Sequence, residues 1–139
     1  VLDLGCGTGI LGITAAKMGA QDVICVDNDP KATEIATQNA VINAVDDRLR
    51  IVNQDAAQIK QPRNLIIANL TAKLLLKLHA HLVRLLLPGG YLVISGIIEP
   101  DMPGIEEHFC VSPLMKSNVL TEKEWVCYVL KKNPADCKS

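Results

Sequence analysis

Residues 1–12 read Val1-Leu2-Asp3-Leu4-Gly5-Cys6-Gly7-Thr8-Gly9-Ile10-Leu11-Gly12. A short apolar strand carries one acid, Asp3, and runs into a turn with glycines at 5, 7 and 9. A helical pattern follows at once. Glycine allows positive φ and lets backbone N–H groups approach a ligand with no Cβ in the way. Strand, glycine turn and helix in immediate succession are the start of a parallel α/β fold with a ligand at the turn.

The pattern repeats along the chain. Asp22–Asp27 holds the buried run Val-Ile-Cys-Val and ends in an acid. Asp29 can cap the next helix, with Pro30 at its first position, and that helix runs to about Asn43 on an apolar face of Ala32, Ile35, Ala36 and Ala40. Leu49–Asn53 and Asn64–Asn69 read as further strands. Thr71–Leu87 reads as a long amphipathic helix stopped by Pro88-Gly89-Gly90, and Tyr91–Ile98 as a doubly buried strand. Alternating strands and helices predict a mostly parallel sheet with helices on both faces. The last third departs from this rhythm. After a short helix at Pro103–Phe109, Val111–Leu120 and Glu124–Lys131 predict an antiparallel hairpin at a sheet edge, with Lys132–Ser139 a frayed tail.

The 139 residues suffice for one domain. Composition is globular, 49% hydrophobic and 21% charged. Net charge of −1 and 3% aromatic residues argue against direct nucleic-acid binding, which needs a basic field or stacking platforms. The apolar stretch Leu74–Leu87 contains Lys77, His79, His81 and Arg84, and is too short and too charged to span a bilayer. Five cysteines, Cys6, Cys25, Cys110, Cys127 and Cys137, form no C-x-x-C pair and read as reduced, mostly buried thiols of a cytoplasmic protein. They offer no zinc-ligand spacing. His79 and His81 lie two apart on a helix and cannot share a ligand. His108 reads as a surface residue. The chain opens on Val1, already inside a strand, so we expect an N-terminally truncated piece of a longer protein.

Two ligands fit the glycine turn. Gly5-x-Gly7-x-Gly9 suits S-adenosyl-L-methionine. Gly7-Thr8-Gly9-Ile10-Leu11-Gly12 also fits the G-x-G-x-x-G dinucleotide fingerprint of an NAD(P)-binding oxidoreductase, and Asp27 lies twenty residues past Gly7. Electrostatics separates them. An acid in the preceding strand repels a pyrophosphate and suits an α-amino group and a sulfonium, so Asp3 favours the methyl donor. The plainer role for Asp3 is a helix cap or turn anchor. Asp27, at its strand end, can accept from both ribose hydroxyls, or act as a simple turn residue. Asn28 can neighbour the adenine edge. Asp55 can accept from the adenine amine, with the small Ala56 admitting a ring nitrogen to the backbone, or be a loop acid. Asn69 ends the fourth strand, where ligands of open parallel sheets bind, or caps the helix that follows. Cys6 reads as a small loop filler within the turn.

With these residues placed, the chain resembles class I S-adenosylmethionine-dependent methyltransferases. Within them it resembles the methyltransferases of large-subunit ribosomal protein eleven and related protein-lysine methyltransferases. The matching stretches are Val1–Gly12, Val26-Asp27-Asn28-Asp29-Pro30, Ala68-Asn69-Leu70, Leu87-Pro88-Gly89-Gly90, Ser95-Gly96-Ile97-Ile98-Glu99 and Glu124-Trp125-Val126. The resemblance implies a Rossmann-like seven-stranded sheet closed by the antiparallel hairpin. It implies methylation of amino groups on a protein partner, at lysine side chains or an N-terminal amine, with Asn69 positioning the acceptor. Asp3, Gly5, Cys6, Gly7, Thr8 and Gly9 would line the methionine end. Asn69 is followed by Leu70-Thr71 rather than Pro-Pro-Tyr, unlike enzymes that methylate glutamine or adenine. Family members acting on the ribosomal protein carry a separate N-terminal recognition domain, with no counterpart in these residues. A cofactor-binding module without turnover is the further alternative.

Overall fold

The computed structural model describes residues 1–134. Its strands order β3-β2-β1-β4-β5-β7-β6 in a seven-stranded sheet. The chain forms two compact units, Val1–Lys60 and Gln61 onward.

The first unit comprises β1 (Leu2–Leu4), α1 (Ile10–Lys17), β2 (Val23–Asp27), α2 (Pro30–Ile42) and β3 (Leu49–Asn53), followed by a 3₁₀ turn at Ala56–Gln58. β1 and β2 pair in parallel with Asp3 opposite Cys25, and β2 and β3 pair in parallel with Asp27 opposite Asn53. All three residues of β1 and the first four of β2 are buried, as a central parallel strand requires. Gly19, at φ 112°, lies just past α1 and lets the chain turn away from the helix end. Asp29 Oδ1 accepts from the Lys31 N–H at 3.0 Å, with Pro30 beginning α2. The face of α2 is narrower than its periodicity suggested. Ala36 and Ala40 are buried, whereas Ile35 is 44% exposed. Small side chains face inward because the glycine turn packs against them: a Cβ on Gly9 would stand 3.1 Å from the Ala36 Cβ.

The second unit comprises β4 (Arg63–Asn69), α3 (Ala72–Leu85), β5 (Leu86–Ile98), a 3₁₀ turn at Glu99–Asp101, α4 (Met102–Phe109), β6 (Leu114–Glu122) and β7 (Trp125–Lys132). β4 and β5 are parallel, and β7 runs antiparallel to both β5 and β6. Its interior holds Ile66, Leu75, Leu82, Leu92, Ile94, Phe109, Tyr128 and Leu130, all fully buried. The His79 ring packs edge-on against Phe109 at 4.8 Å, and burial pulls its pKa down. His108 is exposed.

Two boundaries differ from the sequence reading. The helix predicted over Thr71–Leu87 ends at Leu85, and Pro88-Gly89-Gly90 lies inside β5 rather than in a helix-ending loop. Arg63 pairs with Leu86 and Leu65 with Tyr91, so two steps along β4 match five along β5. The Pro-Gly-Gly segment absorbs the excess. Gly89 sits at φ 79°, and a Cβ on Gly90 would stand 2.6 Å from the Asn64 carbonyl oxygen. The hairpin starts later than predicted, at Leu114, and Lys132 belongs to β7 rather than to a frayed end. The remaining tail from residue 135, with Cys137, lies outside the described residues. Cys6, Cys25, Cys110 and Cys127 are free thiols, the first two buried and the other two half-buried. Among the described residues no helix is long and apolar enough to cross a membrane.

Lys132 has a physical reason to be ordered. Its Nζ donates to the Val83 and Leu86 carbonyls at 2.8 and 2.9 Å. Those carbonyls lie at the C-terminal end of α3, where orphan acceptors and the helix dipole both favour a cation. Lys132→Ala should therefore lower stability by about 1–2 kcal/mol, read as a shifted urea midpoint with unchanged slope. An unchanged midpoint would show that the cap contributes nothing.

Candidate functional site

The first unit gathers ten of the sequence-predicted site residues around the turn between β1 and α1 and the ends of β2 and β3. Asp3 is 1% exposed. Its Oδ2 accepts from the Gly12 N–H at 3.0 Å, so it does hold the first turn of α1 as a cap-like anchor. Its Oδ1 is buried without any hydrogen-bond partner. An unsatisfied carboxylate oxygen in a dry site is costly. Burial pushes the Asp3 pKa up from 3.8 to about 6, the Gly12 N–H opposes that rise, and the charge of Asp27 adds to it.

Asp27 ties the turn down. Its Oδ2 accepts from the Gly7 N–H at 2.9 Å and its Oδ1 from the Asp29 N–H at 2.9 Å. Each ionised oxygen retains a second lone pair for a ligand hydroxyl. The N–H groups of Gly5 and Cys6 both reach the Val26 carbonyl, at 2.8 and 3.0 Å, and the Gly9 N–H reaches Cys6 O at 2.8 Å. Four backbone donors of the turn are thus already engaged within the protein. The N–H groups of Thr8, Ile10 and Leu11 make no hydrogen bond with any described residue, so donors remain open beside the glycines. The glycines provide backbone shape: Gly5, Gly7 and Gly9 take φ of 70°, 54° and 84°. Thr8 is exposed, and its carbonyl accepts from Asn39 Nδ2 at 2.9 Å.

Cys6 is buried, beside Cys25. Gly12, the third glycine of the alternative fingerprint, serves packing: a Cβ there would collide with Cys25 Sγ and stand 3.3 Å from Asp3 Oδ2. Asn28 is exposed after Asp27. Asp55 is exposed and caps the 3₁₀ turn, its Oδ1 accepting from the Ala57 N–H at 2.9 Å, while Ala56 is half-buried. Gln54 N–H and Asn53 Nδ2 both donate to the Asp27 carbonyl, at 3.1 Å each, which joins the end of β3 to the end of β2.

Asn69 belongs to the second unit. It ends β4, is exposed, and forms no side-chain hydrogen bond with any described residue. The alternative helix-capping role falls instead to Thr71, whose Oγ1 accepts from the Leu74 N–H at 3.3 Å. Sequence reasoning assigned no role to Gly96, which sits at φ 84° where a Cβ would stand 2.5 Å from Leu70 O and 2.9 Å from Asn69 Oδ1.

The fold is that of the class I methyltransferases. It superposes on the ribosomal protein L11 methylase of Lactobacillus delbrueckii subsp. bulgaricus with a TM-score of 0.89 at 27% identity, covering 95% of this chain and 69% of that one. It also matches, in fold alone, an RNA methyltransferase from Salinibacter ruber solved with S-adenosyl-L-homocysteine, with a TM-score of 0.77 at 19% identity, covering 95% of this chain and 79% of that one. Residues 1–133 match the family described as ribosomal protein L11 methyltransferase, and the chain belongs to that family. The relative from Trichlorobacter lovleyi is 35% identical over 134 residues, 96% of this chain and 44% of its own length. That from Geobacter metallireducens is 35% identical over 127 residues, 91% of this chain and 42% of its own. The chain therefore spans less than half the length of these relatives.

Asp3 makes a signed prediction. Between 3.8 and about 6 the folded chain keeps a proton that the unfolded chain has released, so this carboxyl removes stability as pH rises through that window. Asp3→Asn should raise stability at pH 8 by about 1–3 kcal/mol and flatten that part of the pH profile. Urea melts of both chains between pH 4 and 8 test it; an identical slope in the variant would refute the burial argument.

Proposed function

We propose that this chain is the cofactor-binding and catalytic part of a protein N-methyltransferase that uses S-adenosyl-L-methionine. Its substrate would be amino groups of ribosomal protein L11, at lysine side chains or an N-terminal amine. The observation that carries the choice of cofactor is the glycine turn itself. Its donors at Gly5, Cys6, Gly7 and Gly9 are spent, the Gly12 N–H is taken by Asp3, and a buried carboxylate oxygen is unmatched. A pyrophosphate is repelled by the acid, whatever donors remain at the start of α1. A cationic ligand meets the need that Asp3 presents. The residues present fit S-adenosyl-L-methionine better than NAD.

The roles follow from the donor and acceptor sets. Asp3, Gly5, Cys6, Gly7, Thr8 and Gly9 form the methionine end. Asp27 accepts from the ribose through its remaining lone pairs. Asn28, Asp55 and Ala56 face the adenine, with Asp55 accepting from its amine. When bound, the cofactor supplies an activated methyl group on a sulfonium. Asn69 supplies a carboxamide oxygen that can accept from an acceptor amine N–H and so orient the nitrogen lone pair. An ammonium has no lone pair, and lysine ordinarily titrates near ~10.4, so the amine must reach the site neutral. Desolvation at the site would favour that form. The names of the relatives and of the solved methylase support the ribosomal protein as substrate.

Calorimetry with S-adenosyl-L-homocysteine and with NAD tests the reading. We expect binding of the first and none of the second, with affinity falling about tenfold or more as pH drops from 7.5 to 5 and Asp3 takes up its proton. Asp3→Ala should weaken binding at pH 7.5 by a similar factor and abolish the pH dependence. Binding of NAD alone would end the methyltransferase reading.

A further inference from the structure

β5 carries an irregularity beside the end of β4. Ile94 pairs with Tyr128 and Ile97 with Val126, so Ser95 and Gly96 together stand opposite the single residue Cys127. Two residues against one is a β-bulge, a device that commonly re-aims neighbouring groups next to functional sites. The Ser95 side chain lies beside Cys127 of β7, where it partly offsets the upward push of burial on that thiol. On its other side Ser95 is in parallel register with Asn69, and the Leu70 N–H donates to Ser95 O at 3.1 Å. The backbone just after the Asn69 side chain is therefore tied to the bulge.

The carboxamide of Asn69 is exposed and makes no hydrogen bond of its own. Gly96 lies against it. A Cβ there would meet Leu70 O at 2.5 Å, Leu70 C at 3.1 Å and Asn69 Oδ1 at 2.9 Å. Two of those three atoms are backbone and cannot swing aside. Gly96 also sits at φ 84°, so any L side chain is strained there. From this geometry we infer that the Ser95-Gly96 bulge is the positioning element for Asn69, with Gly96 the surface that fixes where its carboxamide stands. The inference rests on the proposed role of Asn69 at the acceptor amine. Gly96 touches no substrate and acts through Asn69 and the Leu70 peptide.

The test uses the ¹⁵N-labelled chain, with the Asn69 side-chain amide signals assigned by their loss in Asn69→Ala. Gly96→Ala should move those signals and the Leu70 amide. It should leave S-adenosyl-L-homocysteine affinity within about threefold and lower kcat for methyl transfer to purified ribosomal protein L11 by about tenfold or more, with little change in KM. Gly96→Asn tolerates positive φ better while keeping the Cβ, and should behave likewise. A folded Gly96→Ala with wild-type Asn69 signals and wild-type turnover would overturn the inference. So would loss of folding in both Gly96 variants, which would mark a purely structural glycine. Undiminished transfer by Asn69→Ala would instead overturn the role of Asn69, and leave Gly96 nothing to position. If the chain alone shows no transfer, the displacement of the Asn69 signals decides.

Discussion

The bond between Asp3 and the first turn of α1 is the constraint on which the glycine turn of the first unit depends. One carboxylate oxygen holds the Gly12 N–H at 3.0 Å and the other has no partner. Gly12 has to be glycine for the bond to exist, because a Cβ would occupy the space of Cys25 Sγ. Helix, strand and acid are thus one arrangement. It is stable enough to fold and has an electrostatic debt at a single atom. Buried polar groups without partners are rare in native proteins and concentrate where a ligand will complete them.

Much of this was legible in the sequence, for identifiable reasons. Strand ends announced themselves because β1 and β2 are central and parallel: β2 is apolar up to Asp27, and β1 is interrupted only by Asp3 before the glycines begin. Asp29-Pro30 marked a helix start because capping chemistry is local. The use of the turn's N–H groups was not legible. Whether a donor faces a ligand or folds back onto Val26 O and Asp27 depends on backbone paths that glycine leaves open. For the same reason the glycine spacing fitted two cofactors, and it is the acid at Asp3 rather than the glycines that separates them.

The second unit shows a different blindness. Pro88-Gly89-Gly90 reads as a helix stop in any propensity scheme, yet it lies in a strand that pairs around it. The deciding term is non-local: Arg63 and Leu65 of β4 fix both sides of the segment, and Gly90 lets the Asn64 carbonyl approach. Gly96 stood out only as part of a family-matching stretch, with no role attached. Its neighbours Asn69 and Leu70 are more than twenty residues away in the chain, and nothing in the local pattern marks a bulge. Sequence periodicity reports on burial; it does not report which distant backbone needs an absent Cβ.

The position of β7 has a consequence for how the chain is made. It is the last strand among the described residues, yet it lies between β5 and β6, and its final residue, Lys132, closes the end of α3. Until residue 132 leaves the ribosome, β5 exposes an unpaired edge whose pairing side is strongly apolar. The second unit therefore cannot settle progressively during synthesis. It must wait for nearly all of its residues, with an open edge that other chains could join. A premature stop before Trp125 would remove an interior strand of the sheet rather than trim its margin.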